Sequence, residues 1–130
     1  MFRRQTVDVP LSLLGLLFLF AAVDGFAWIL TGHRLVHPPT SVAGLRFEDA
    51  LKDSGFLWPL MKSIDLIAAV LLLTNRAPAL GLLLLLPIIT VIVLFHLVLN
   101  PGGIPIAVAL AVLTAMLVFA YRDRYQALLR

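Results

Sequence analysis

The sequence predicts an all-α integral membrane protein: a four-transmembrane-helix bundle with a short amphipathic helix in its first, periplasmic loop. Three observations predict it. Hydrophobic residues make up 62% of the 130 and charged residues only 13%, against roughly 25% charged in soluble domains. The apolar residues fall into four runs of about 20, each long enough at ~1.5 Å per residue to cross a ~30 Å hydrocarbon core. Pro, Gly, Asn and charged residues are gathered between the runs. Several helices apolar on every side could not all be covered by so short a chain, so lipid must cover them. The whole of 1–130 is read as one integral membrane domain.

The first run, Leu11 to Leu30, follows a polar start with Arg3 and Arg4, and Pro10 suits a first helical turn. A basic start and an apolar run also describe a signal peptide. This run is long for that role, contains Asp24 and lacks a small-residue cleavage site, so it is expected to be retained as a helix over about 11–31. Trp28 near its end suits the membrane interface, and Gly25 allows another helix to approach. Residues 33–55 form the long loop. His33, Arg34, His37, Pro38 and Pro39 extend the chain. Ser41 to Ser54 then reads as an amphipathic surface helix, with Leu45, Phe47, Ala50 and Leu51 opposite Arg46, Glu48, Asp49, Lys52 and Asp53.

The second run covers about 56–74, opened by Trp58 and Pro59, and contains Lys62 and Asp65 three residues apart on one helix face. Asn75, Arg76 and Pro78 break the chain before the third run, about 78–99, in which Pro87 removes a backbone hydrogen bond and His96 is polar. Asn100, Pro101, Gly102 and Gly103 form a tight turn, and a fourth run follows over about 104–121.

Four crossings place both ends of the chain on one side. That side carries Arg3, Arg4, Arg76, Arg122, Arg124 and Arg130, whereas Arg34, Arg46 and Lys52 lie on the other. The excess of arginine predicts cytoplasmic termini in a bacterial inner membrane. The net charge of +3 is spread over these flanks, so nucleic acid is not the expected partner; the bilayer is, with other membrane subunits or a second copy of the chain beside it. With no cysteine, disulfides, thiolate catalysis and cysteine-ligated metals are excluded within this chain.

Depth singles out four residues. At ~1.5 Å per residue, Asp24, Lys62, Asp65 and His96 lie ~12, ~9, ~13 and ~6 Å below the outer boundary. All are in the outer half, where ionisable groups are costly unless paired or functional. They are expected to line a polar pocket that grips the head of a quinone-like or lipid-like ligand, or that relays protons. The alternative for Lys62 and Asp65 is a structural ion pair. A haem would lack a second intramembrane histidine, and no catalytic, nucleotide or metal motif is present. A third possibility, a minimal transporter or proton channel, is disfavoured because no ionisable group marks the inner half.

The stretch from Phe47 to Gly103, "FEDALKDSGFLWPLMKSIDLIAAVLLLTNRAPALGLLLLLPIITVIVLFHLVLNPGG", resembles the DoxX-like family of small bacterial membrane proteins. The features in common are an amphipathic segment ending in Ser54-Gly55, an acidic residue before a leucine-rich run, the Asn75-Arg76 turn, Leu86-Pro87-Ile88 and Phe95-His96. The opening "LLGLLFLFAAVDGF" is similar as well. The resemblance implies a four-helix membrane bundle and, at most, an accessory subunit of a quinone-linked oxidoreductase. The family usually has glutamate at the position of Asp65, which keeps the charge on a shorter arm. It often has a neutral amide at that of Asp24, so no role is carried over to Asp24.

Overall fold

The computed structural model describes residues 7–130; Arg3 and Arg4, expected at the cytoplasmic flank, lie outside them. Among the described residues every regular element is helical. The principal helices are α1 (Val9–Thr31), α2 (Val42–Asp53), α3 (Leu57–Leu73), α4 (Pro78–Leu94), α5 (Ile104–Ala120) and the short α6 (Arg122–Gln126). A π-helical turn, Phe95–Leu99, continues α4.

Local chemistry sets the boundaries. Pro10 occupies the first turn of α1, where its missing N–H costs nothing. Gly32 ends α1 in the left-handed region at φ 77, its N–H reaching the Trp28 carbonyl at 2.8 Å. Ser41 caps α2 by accepting the Gly44 N–H on its hydroxyl at 3.0 Å. Ser54 does the same for the Leu57 N–H, also at 3.0 Å, so one side chain closes α2 and starts α3. Between these two helices the axis turns by 92°. Asn75 takes φ 54 and ends the α3 segment, and Pro78 opens α4.

Three stretches are long and apolar enough to cross a membrane: Val9–Thr31, Pro78–Leu99 and Pro101–Ala120. The bent pair α2–α3 makes a fourth if it is taken as one span. α1 packs on α3 and α5, and α4 packs on α3 and α5, so these helices close a ring. α2 lies across one end of it, against α3 and the π turn.

The interior of the ring is leucine and alanine: Leu11, Leu14, Phe18, Ala68, Ala69, Leu72, Leu82, Leu85, Leu110 and Leu117. Small residues bring the backbones together. A methyl on Gly15 would sit 2.8 Å from Leu73 Cγ, and one on Gly81 3.2 Å from the Ala68 carbonyl oxygen. Close approach of this kind is the main source of helix association where lipid, not water, surrounds the helices. The outside is as apolar as the inside: Leu13, Leu16, Phe20, Val108 and Val112 are each about half exposed. A water-soluble protein does not carry such a continuous apolar surface. The helices are those of a membrane-embedded protein.

The loop end of the ring carries residues 32–56, including α2, together with the turn at Asn100. The turn end carries Asn75–Ala77 and the C-terminal segment.

Candidate functional site

Asp24 is almost fully buried, at 3% exposure. Arg34 Nε donates to its Oδ2 at 2.8 Å, and the backbone N–H groups of Leu35 and Val36 donate to Oδ1 at 2.7 and 3.1 Å. Arg34 Nη1 also reaches Glu48 Oε2 on α2 at 3.2 Å. The carboxylate thus folds the chain after α1 back onto its own helix and, through Arg34, ties in α2. Both oxygens and the charge are already answered by the protein. Asp24 is therefore built as an anchor, with little capacity left for a ligand or a mobile proton.

Above it lies an aromatic and cationic layer. Trp28 of α1 and Trp58 of α3 meet edge to face at 5.9 Å, and Trp58 Nε1 donates to the Gly25 carbonyl at 3.3 Å. Lys52 Nζ lies 4.9 Å from both ring centroids, and Lys62 Nζ lies 4.8 Å from that of Trp58. At these distances an ammonium is attracted by the ring face, more strongly where water is excluded. Lys52, placed by the sequence on the polar face of the surface helix, is in fact turned onto the two indoles.

Lys62 reaches down to Asp65, Nζ to Oδ2 at 3.5 Å, within one face of α3. The Lys62 stem runs along Gly25, where any Cβ would collide with it, which explains a glycine next to Asp24. Asp65 is 2% exposed, and its Oδ1 has no hydrogen-bond partner. A buried carboxylate oxygen without a donor costs on the order of 1–3 kcal/mol or more, so this atom is the least satisfied point of the cluster.

His96 is placed by the π turn. Its ring meets Phe95 edge-on at 5.1 Å and covers Gly103, where a side chain would occupy the imidazole's position; its Nδ1 is buried without a partner. Asn100 is buried too and accepts the Ser41 N–H at 3.1 Å, while the Ser41 hydroxyl donates to the Leu99 carbonyl. Phe47 of α2 packs on Phe95 at 5.8 Å. These contacts hold the start of α2 over the π turn.

The structure therefore joins Lys62 to Asp65 and sets Lys62 beside the neighbour of Asp24. No hydrogen bond, ion pair or ring contact joins His96 to any of the three. The sequence reasoning missed Arg34, Glu48 and Lys52 as members of the cluster. One signal could have found Arg34: a buried carboxylate needs a cation, and the nearest one along the chain beyond α1 is Arg34. Two clefts of about 430 Å³ each open at the other, turn end, around Tyr121 and Arg124. Among the described residues no group of histidine and carboxylate side chains could hold a metal ion. Compared with models of known families, with curated proteins and with solved structures, the chain matches none.

Proposed function

We propose that the chain is a DoxX-like four-transmembrane-helix bundle of the bacterial inner membrane, with cytoplasmic termini and a periplasmic surface helix, and that it binds the polar head of a quinone-like or lipid-like amphiphile at Lys62 and Asp65 in its outer half. One observation carries the reading: Asp65 Oδ1 is buried and unpartnered within a cluster whose other carboxylate, Asp24, is fully bonded. A ligand hydroxyl would supply the missing donor, and the Lys62 ammonium, only 3.5 Å from the other oxygen, would receive a carbonyl or phosphate oxygen. The tail would lie along the apolar flanks of α1 and α3. Asp24 positions the loop over this site, and His96, with its own free Nδ1, is a second polar point at the same end of the bundle.

The test is ligand retention. The protein and its Asp65→Asn and His96→Ala variants are purified into lipid nanodiscs, extracted, and the co-purified quinones and lipids quantified by mass spectrometry. Loss of one species in Asp65→Asn, with the helical circular dichroism unchanged, supports the site. Retention equal to that of the unmodified protein in both variants rejects it.

A second reading, that of a structural or assembly partner in a larger membrane complex, is favoured by the direct Lys62–Asp65 pairing and by the close helix approaches at Gly15 and Gly81. Co-purification with a larger complex and no bound small molecule would select it.

A further inference from the structure

The turn end holds a second polar feature, remote from Lys62 and Asp65. One of its two clefts, of about 430 Å³, is lined by Asn75, Arg76, Ala79, Leu80, Tyr121 and Arg124, among others, and by no carboxylate, whereas Asp123 lines the neighbouring cleft with Tyr121 and Arg124. The chain builds the first of these from both sides. Asn75, in the left-handed region, turns the backbone so that Arg76 lies just before Ala77, the N-cap of α4. Tyr125 Oη donates to the Ala79 carbonyl at 2.8 Å, which fastens α6 to the first turn of α4 and brings Arg124 to the same cleft as Arg76. Among the described residues neither guanidinium has an ion-pair partner.

The start of α4 adds donors. Ala77 offers no side-chain cap and Pro78 has no N–H, so the N–H groups of Ala79 and Leu80 have no partner among the described residues. Two unpaired guanidiniums, two free backbone N–H groups and no acid make a site for an oxyanion. Arginine's planar fork matches phosphate in particular. The cleft also sits at the end of apolar helices, at the level of lipid headgroups. We propose that this cleft binds phosphate, either in the headgroup of an anionic phospholipid or as the free ion.

The test must separate a built site from the general basic flank of a membrane helix. Arg122 provides the control. It lies at the same end but is turned onto Phe119, 4.2 Å from the ring centroid, and does not line the cleft. The full-length protein in a neutral detergent is titrated by native mass spectrometry with dioctanoyl phosphatidylglycerol, with and without inorganic phosphate. The Arg76→Gln/Arg124→Gln double variant is expected to weaken lipid binding by about tenfold or more, and Arg122→Gln by less than about twofold. Displacement of the lipid by inorganic phosphate identifies the free ion as a sufficient ligand; lipid binding that phosphate does not displace identifies the headgroup. Equal losses in Arg122→Gln and the double variant, or no saturable binding of either probe to the unmodified protein, overturn the proposal. Should the double variant not run as a single species, Arg76→Gln alone, on an exposed turn, is compared with Arg122→Gln, and equal losses again refute it. Because Lys62 and Asp65 are at the other end, this result is independent of theirs.

Discussion

Replacing Asp24 tests how the loop end is held together. Its carboxylate receives three donors at 2.7 to 3.1 Å, one of them charged. In Asp24→Ala the Arg34 guanidinium, one-fifth exposed, loses its main counter-charge, and the Leu35 and Val36 N–H groups lose their acceptor. Hydrogen bonds to a charged group contribute ~1.5–3 kcal/mol each and are not additive. Removing one member of a largely buried pair costs ~3–5 kcal/mol, and that range is expected here. Asp24→Asn keeps an oxygen for the two backbone donors but sets an amide against Arg34, so about 2–3 kcal/mol is expected. The assay is unfolding in mixed micelles with rising SDS, followed by tryptophan fluorescence. The chain has two tryptophans, and both belong to the layer above Asp24, so the signal reports on this region. An alanine variant within ~0.5 kcal/mol of the unmodified protein would refute the anchor. Equal losses for alanine and asparagine would show that the two backbone bonds contribute nothing.

Three further outcomes follow from the packing and from one phenol. Gly25→Ala drives a methyl into the Lys62 stem and should cost about 1–3 kcal/mol; the same change in a Lys62→Ala background should cost much less, as measured by a double-mutant cycle in the same micelles. Gly103→Ala should evict the His96 imidazole from its seat, and amide exchange at Phe95–Leu99 should rise; unchanged exchange would contradict the contact. Burial, aided by the neighbouring Tyr121, pushes the Tyr125 phenol from 10.0 up to about 12. Its proton is held more tightly in the folded chain, so the stability it contributes is complete below about pH 10 and is lost as pH rises towards 12. Ultraviolet titration should therefore show a late phenolate that is absent in Tyr125→Phe, a substitution that also removes the bond to Ala79 at a cost of about 1 kcal/mol.

Much of the fold is legible from hydropathy because lipid imposes one rule on every residue of a span. The runs from Leu11, Ala79 and Ile104 each fall within a helix of membrane-crossing length once Leu94 is continued through the π turn. In the stretch Ser41 to Ser54 a helix forms at Val42–Asp53, because Ser41 supplies an acceptor and Ser54 and Gly55 end it. Lys62 and Asp65 could be paired from spacing alone, since a helix fixes which neighbours three apart share a face. Arg34 and Asp24 could not be paired by spacing, only by the need of a buried carboxylate for a cation. Their contact depends on the path of a loop that His33, Pro38 and Pro39 leave open in sequence. Trp28 and Trp58 likewise each suit an interface singly, and only the pairing of α1 with α3 stacks one on the other. The cleft at Arg76 and Arg124 joins residues nearly 50 positions apart, which no local pattern encodes.

The π turn at Phe95–Leu99 gives the chain a slack residue. Trimming one position there would let the coil tighten to the ordinary 3.6-residue pitch, swinging all that follows by about 100°. Asn100 would then face away from Ser41, the start of α2 would lose its fastening, and α5, which follows the turn, would lose its register against α1 and α4. One coil thus sets both how α2 is fastened and where the last long helix joins the ring.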